Sequence, residues 1–421
     1  MKALDQQVSL EYSKVTNSQS GFLHNVALTL GTRGFLLVLM FASSVITARY
    51  LGPEGRGVYA VLTVISGIAI QFGNFGLHSA NTYFLGQHPA FRDRIVSNSA
   101  WLSGVVGLVL CGLLILLKPQ LWNAPAYSHW IYYVAIANVP FGLFYLLALN
   151  IRLGLGQVRS FNATELVVNA AGFVAVFILL VVFGLGPGSL IVYSSLFNAT
   201  ACVWLFLKLR TGRTGAFDFP LFSTMFRYGL KAYVAAMLAF LVLRFDMLMV
   251  NRMAGTSAAG IYSMAVQIGD VMYLLPVSIG TVMFPQISAM TTGQWKFTKR
   301  TALVTALLMG LSCLSVWFIG PAFIAAAYGV EFRESAVALR WLLPGIWALG
   351  VNTIYMNYFA GIGMPLITVV SPAIALLVNL SLNLVLIPRM GASGASLAST
   401  IAYFIMLVCS GAYLISFRKS L

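Results

Sequence analysis

The chain has 421 residues, of which 60% are hydrophobic and only 8% charged, with a net charge of +15. A water-soluble protein needs about 25% charged residues to cover its surface, so a soluble enzyme is excluded. Apolar runs of about 20 residues succeed one another along almost the whole chain, the pattern of transmembrane helices.

Residues 1–21 are polar and read as a cytoplasmic N-terminal tail, with Leu4, Val8, Tyr12 and Val15 at the spacing of a short surface helix. The first apolar run is long and carries Arg33, so it reads as a retained span and not a cleaved signal. Twelve spans are predicted at about 22–48, 58–86, 95–117, 130–150, 161–183, 189–208, 229–251, 259–284, 301–326, 338–360, 366–387 and 394–416. They form an N-terminal six-helix bundle (22–208), a cytoplasmic linker (209–228), a C-terminal six-helix bundle (229–416) and a cytoplasmic tail (417–421). The expected fold class is an all-α integral membrane protein.

Lys and Arg set the orientation. With the N-terminus inside, sixteen of them fall on the inner side, Arg92, Arg94 and Arg210 among them, and seven on the outer side, including Arg49 and Arg56. Both termini are therefore expected in the cytoplasm. The positive charge is largely this bias; it needs no nucleic-acid partner, and it attracts anionic membrane lipids.

Between the first two spans lies RYLGPEGRGVY, residues 49–59. Gly52 suits a helix C-terminus, Pro53 and Glu54 suit the first turn of the next helix, and Arg49 is placed to neutralise the carbonyl end of span 1. A tight turn accounts for most of this. A looser copy, RMAGTSAAGIY, fills residues 252–262, and Arg49, Gly52, Gly57 and Tyr59 match Arg252, Gly255, Gly260 and Tyr262 at an offset of 203. Gly154-Leu155-Gly156 resembles Gly361-Ile362-Gly363 at an offset of 207, and Gly186 resembles Gly391 at 205. Three matches in one order indicate two parallel six-helix halves, an arrangement that places a transport site between them.

Ionisable residues inside spans are functional candidates by default. They are Arg33 in span 1, Glu165 in span 5, Arg244 and Asp246 in span 7 and Asp270 in span 8, with Lys231 a weaker sixth because it can snorkel. Gln71, Asn74, His78 and Asn81 follow helical spacing in span 2, and Gln267 shares a face with Asp270. For a single Asn the plain reading is an interhelical hydrogen bond worth about 1 kcal/mol. Whole stripes beside buried charges point instead to a wet central cavity. Cys111, Cys202, Cys313 and Cys409 lie in apolar segments without a CxxC pair, and no HExxH, phosphate loop or GxSxG occurs. No metal, catalytic residue or cofactor is expected.

ARYLGPEGRGVY, together with GIYSMAVQIGDVMYLLPVSIGTVMFPQIS at 260–288, resembles the polysaccharide-transporter branch of the multidrug/oligosaccharidyl-lipid/polysaccharide exporter superfamily. The resemblance implies a V-shaped transporter fold like that of the MATE drug exporters. It implies a flippase that carries polyprenyl-diphosphate-linked oligosaccharides from the cytoplasmic to the periplasmic leaflet of the bacterial inner membrane, for O-antigen, capsule or exopolysaccharide. A polysaccharide polymerase or chain-length machinery is the implied partner. On this reading Arg33, Arg244 and Lys231 hold the diphosphate, while Gln71, Asn74, His78, Asn81 and Gln267 meet the sugars. Asp270, Asp246 or Glu165 then carries a coupling H+ or Na+. Arg244 has an alternative role as the partner of Asp246 or Asp270, whereas Arg33 has no acid nearby in sequence. A drug exporter of the same superfamily is the alternative function, disfavoured by the intramembrane arginines. A membrane enzyme acting on the same lipids is disfavoured by the short outer loops.

Overall fold

The computed structural model describes the backbone of residues 2–122, 124–210, 215–290 and 292–419, and their side chains except those of 2–30, 231, 289 and 417–419. The surface-helix reading of the N-terminal tail depends on which face its side chains present, and these, like the side chain of Lys231, lie outside those described. Every regular element among the described residues is helical, as expected where lipid offers the backbone no hydrogen bonds.

In chain order the helices are α1 (Lys2–Gly73), α2 (Leu77–Gln87), α3 (Arg92–Leu116), the single turn α4 (Lys118–Leu121), α5 (Trp130–Ala137), α6 (Val139–Gly154), α7 (Val158–Val176) and α8 (Pro187–Leu209). The second half holds α9 (Phe219–Ala254), α10 (Thr256–Ala289), α11 (Gln294–Tyr328), α12 (Arg333–Gly361), α13 (Ile367–Met390) and α14 (Ala392–Lys419). Eleven segments among the described residues are long and apolar enough to cross a membrane. The first, Gly31–Gly73, reverses at Gly52 (φ 62°, ψ −178°), so its two limbs make the total consistent with twelve crossings. Leu108, Leu116 and Phe318 stand 68%, 75% and 70% exposed on the outside of the bundle. Such large apolar side chains are stable there only against lipid.

The internal repeat is visible in the packing. Gly52 and its counterpart Gly255 (φ 91°, ψ 170°) share a conformation that side chains resist, and each turns the chain between two helices. Gly154 on α6 packs tightly on α2, and its counterpart Gly361 on α12 packs on α10. The end of the molecule bearing Gly52 and Gly255 is called the hairpin end; the opposite end, where residues 215–218 precede α9, is the linker end.

The halves meet along a seam in which α1 faces α10 and α9, and α2 faces α9. At the hairpin end Arg49 donates to the carbonyls of Ala326 and Ala327 (2.7 Å to Ala327). It therefore caps the C-terminus of α11 in the other half, not the end of span 1 as its sequence position suggested.

At the linker end α9 begins at Phe219, about three turns before the expected start of span 7. Leu221 and Met225 pack into the N-terminal half beside Leu85, Ile95 and Ile151. Asp218 fixes this docking. It caps α9 through Leu221 N–H (3.0 Å), pairs with Arg94, and exchanges hydrogen bonds with Asn98.

Candidate functional site

The charged residues sort by depth. With a rise of 1.5 Å per residue, Arg33 lies about 28 Å from Gly52, towards the linker end and not mid-span. The first span runs on to Gly52, past the boundary expected near residue 48, and this shifts Arg33 away from the centre. Its Nη2 is 2.9 Å from Glu165 Oε2, and Nη1 donates to Oε1 at 3.3 Å. The guanidinium also lies over the Phe161 ring, 5.9 Å from its centroid. Arg33 is thus not without an acid: α7 supplies one from 132 residues away. The arginine side chain remains 51% exposed, so the pair leaves donors free.

Arg244 sits nearer mid-membrane, about 16 Å along α9 from Gly255. Its Nη1 is 2.9 Å from Asp270 Oδ2 on α10, with the two side chains 28% and 40% exposed. Span 8 supplies the partner, Asp270 and not Asp246. Beside Asp270 is a cavity of about 10 Å³ bordered by Tyr262, Tyr273 and Tyr403. It has room for about one water or bare cation, and not for a sugar.

Asp246 differs from Asp270. It is 1% exposed and accepts three hydrogen bonds, from Met247 N–H (2.7 Å), Ser399 Oγ (2.8 Å) and the Tyr262 hydroxyl. These bonds tie α9 to α10 and α14. Among the three coupling candidates Asp246 thus differs in being held by neutral donors, whereas Asp270 and Glu165 are each paired with an arginine.

The polar stripe of span 2 does not survive as one face. The helix breaks between Gly73 and Leu77, where Phe75 (φ 46°) and Gly76 (φ 76°) adopt left-handed conformations. The 3.6-residue register that aligned the stripe ends there. Asn74 caps the break through Gly76 N–H (2.8 Å), and Asn81 donates to Ser99 Oγ (3.1 Å); both are fully buried. Gln71 and His78 stay half-buried, and His78 Nδ1 lies 2.9 Å from Asn74 Oδ1. Tyr233 of α9 donates to the Phe72 carbonyl at 2.7 Å, and the Phe75 ring packs on Phe226 and Tyr233. The break is therefore held from the other half.

Gln267 sits in the seam, its Oε1 accepting from Ser44 Oγ (2.6 Å) and Arg56 Nη2 (2.9 Å). Arg56 was not singled out from sequence, because its place in a hairpin motif reads as a solvated outer charge. It is instead 9% exposed.

Two bundles related by a repeat, meeting along a seam with paired charges inside the membrane, define a transporter fold. A drug-resistance MATE transporter in an inward-facing conformation superposes with a TM-score of 0.75 at 13% identity, over 91% of this chain and 96% of that one. The lipid II flippase MurJ in an inward closed conformation gives 0.77 at 16% identity, over 93% and 87%. The family described as polysaccharide biosynthesis protein matches residues 46–337, and the chain belongs to that family. A Haloferax volcanii relative named as a probable low-salt glycan biosynthesis flippase is 22% identical over 391 residues, 90% of this chain and 80% of the relative. Family membership places this multi-pass membrane protein with polysaccharide biosynthesis and not with the drug exporters.

Proposed function

We propose that the protein is a flippase that moves polyprenyl-diphosphate-linked oligosaccharides from the cytoplasmic to the periplasmic leaflet of the bacterial inner membrane, for surface polysaccharide. Both termini then lie in the cytoplasm, and the linker end is the cytoplasmic end. One observation carries the reading: each half brings an intramembrane arginine that is paired to a carboxylate yet still partly exposed. The relative named as a glycan flippase supports it.

The chemistry follows from the pairs. A diphosphate carries about two negative charges and cannot cross hydrocarbon bare. Guanidinium groups match phosphate oxygens with paired donors. Glu165 and Asp270 neutralise Arg33 and Arg244 while the site is empty, and the diphosphate displaces them when it arrives. Gln71 and His78 are the span-2 residues left to meet sugars. A proton or Na+ taken up by Asp270 from the outer side as the cargo leaves, and given up to the cytoplasm before the next loading, couples an inward ion gradient to export. Lys231 adds charge where cargo enters, and a polymerase takes up the delivered unit.

Mass analysis of polyprenyl-linked saccharides in cells lacking the protein tests this. A diphosphate-linked repeat unit should build up and clear when a copy is restored. No build-up, with surface polysaccharide unchanged, would overturn the reading.

A further inference from the structure

Arg56 is a buried cation with unspent donors. Its Nη1 donates to Thr47 Oγ1 at 3.0 Å and its Nη2 to Gln267 Oε1 at 2.9 Å, while its buried Nε has no hydrogen-bond partner. The Tyr59 ring lies 5.6 Å from the guanidinium carbon. The ion pairs among the described residues are Arg33–Glu165, Arg94–Asp218 and Arg244–Asp270, and Arg56 belongs to none of them. A full charge removed from water and given only two neutral oxygens is costly, and an apolar side chain would pack there at less cost.

Its location says what the charge is for. Thr47 belongs to its own half, but Gln267 belongs to the other. Arg56 lies about 6 Å along α1 from Gly52, so Arg33, Arg244 and Arg56 stand at about 28, 16 and 6 Å from the hairpin end. The next residue, Gly57, lies so close to Thr256 and Gly260 of the other half that a Cβ there would overlap the Thr256 carbonyl. If the halves part at this end, Gln267 is withdrawn and the guanidinium is left facing the gap with donors to fill.

We infer that Arg56 is a diphosphate-binding residue at the hairpin end, covered in the closed seam and exposed when the halves part there. This rests on the proposed function and adds to it a release station beyond the two paired arginines. The ligand chemistry is an organic or inorganic diphosphate, its two charges matched to the in-plane fork of Nη2 and Nε.

The full chain in nanodiscs tests this with two probes, inorganic pyrophosphate in solution and undecaprenyl diphosphate placed in the bilayer. Gly57→Ala wedges the seam, so it should bind both probes about tenfold more tightly than wild type; Gly57→Ala/Arg56→Gln should lose that gain, and Gly57→Ala/Arg56→Lys should keep part of it. Equal binding by Gly57→Ala and Gly57→Ala/Arg56→Gln would overturn the inference. A gain for pyrophosphate without one for the lipid would overturn the assignment to the cargo head. If Gly57→Ala does not fold, phenylglyoxal labelling of wild type read by peptide mass analysis replaces it. Arg56 should label slowly at rest, faster during turnover, and slowly again with pyrophosphate; unchanged labelling would overturn the inference. Arg33→Gln/Arg244→Gln, measured alongside, tests the underlying reading separately. If that variant loses lipid binding and Arg56→Gln changes nothing in either background, the release station fails and the flippase reading stands.

Discussion

Gly57 and Gly260, equivalent positions of the internal repeat, meet each other across the seam. A Cβ on Gly57 would overlap the Thr256 carbonyl and crowd Gly260 N, and a Cβ on Gly260 would overlap the Pro53 carbonyl and crowd Gly57 N. The contact is reciprocal, so it marks the pseudo-two-fold axis at the hairpin end. Helices come this close only where both lack side chains. At this point the seam is backbone against backbone, with Arg49 and Arg56 reaching across beside it, and there is no room for error on closing.

Gly57→Ala should therefore disfavour the closed seam by about 1–3 kcal/mol, the usual cost of overpacking. Gly260→Ala should do the same. The double variant should cost much less than the sum, because either methyl opens the same contact. Accumulation of lipid-linked saccharide in cells carrying each variant reads out the loss of cycling. Additive effects would mean that the two glycines do not share one gate.

The Arg33–Glu165 pair should prove functional more than structural. With Arg33 half exposed and only Glu165 largely buried, the pair should stabilise the fold by about 1 kcal/mol. Arg33→Gln should lower export about tenfold or more with little change in melting temperature, since it removes a charged contact to the diphosphate. Glu165→Gln should retain more activity. The swapped variant Arg33→Glu/Glu165→Arg restores the pair but moves the cation onto α7, and export should remain low. Full recovery by the swap would show that the pair itself is what matters.

Much of the architecture was legible in the sequence because lipid imposes few solutions. Long apolar runs, glycine turns and the offset of 203 between RYLGPEGRGVY and RMAGTSAAGIY give the helices and the two halves. The candidate site was only partly legible. Arg244 and Asp270 lie on adjacent helices, which made Asp270 one of the two partners open to Arg244. Glu165 lies far from Arg33 in sequence, and no local spacing reports such a meeting. The span-2 stripe failed because Asn74, Phe75 and Gly76 break the helix within an apolar run. The residues Asn74-Phe75-Gly76 carry a weak turn signal in the Asn and Gly, overridden by the helical periodicity around them. Arg56 looked like a surface charge because a hairpin seen alone has no opposite half to bury it.

Asp246 and Asp270 should separate cleanly under the same substitution. Asp246 accepts at both oxygens: Met247 N–H on Oδ1, Tyr262 and Ser399 hydroxyls on Oδ2. In Asp246→Asn the amide oxygen can still accept from Met247 N–H, but an N–H2 on the other side takes the place of the acceptor shared by the Tyr262 and Ser399 hydroxyls. Buried hydroxyls that lose their acceptor cost about 1–3 kcal/mol. The melting temperature should fall for Asp246→Asn and hardly move for Asp270→Asn, whose carboxylate is 40% exposed. Transport driven by an imposed ion gradient should instead be lost in Asp270→Asn, and retention there would exclude Asp270 as the coupling group.

The docking of α9 on the N-terminal half should depend on acid in a narrow window. The Leu221 N–H, and after it Arg94, holds the Asp218 carboxyl below its usual range. A carboxyl with a depressed folded pKa contributes stability that is complete above its unfolded value, about 3.9, and is lost as the pH falls through the lower folded value. Wild type should therefore melt at a higher temperature than Asp218→Asn throughout pH 5–8, with a constant gap. Below about pH 3.9 the gap should close as Asp218 takes up its proton. Asp218→Asn keeps an oxygen able to cap Leu221 but loses the charge that faces Arg94, so the gap isolates the ionic part of the latch. Melting curves of the two proteins from pH 8 down to pH 2 give the answer, and a gap that did not narrow at all below about pH 3.9 would show that the charge on Asp218 does not hold α9 in place.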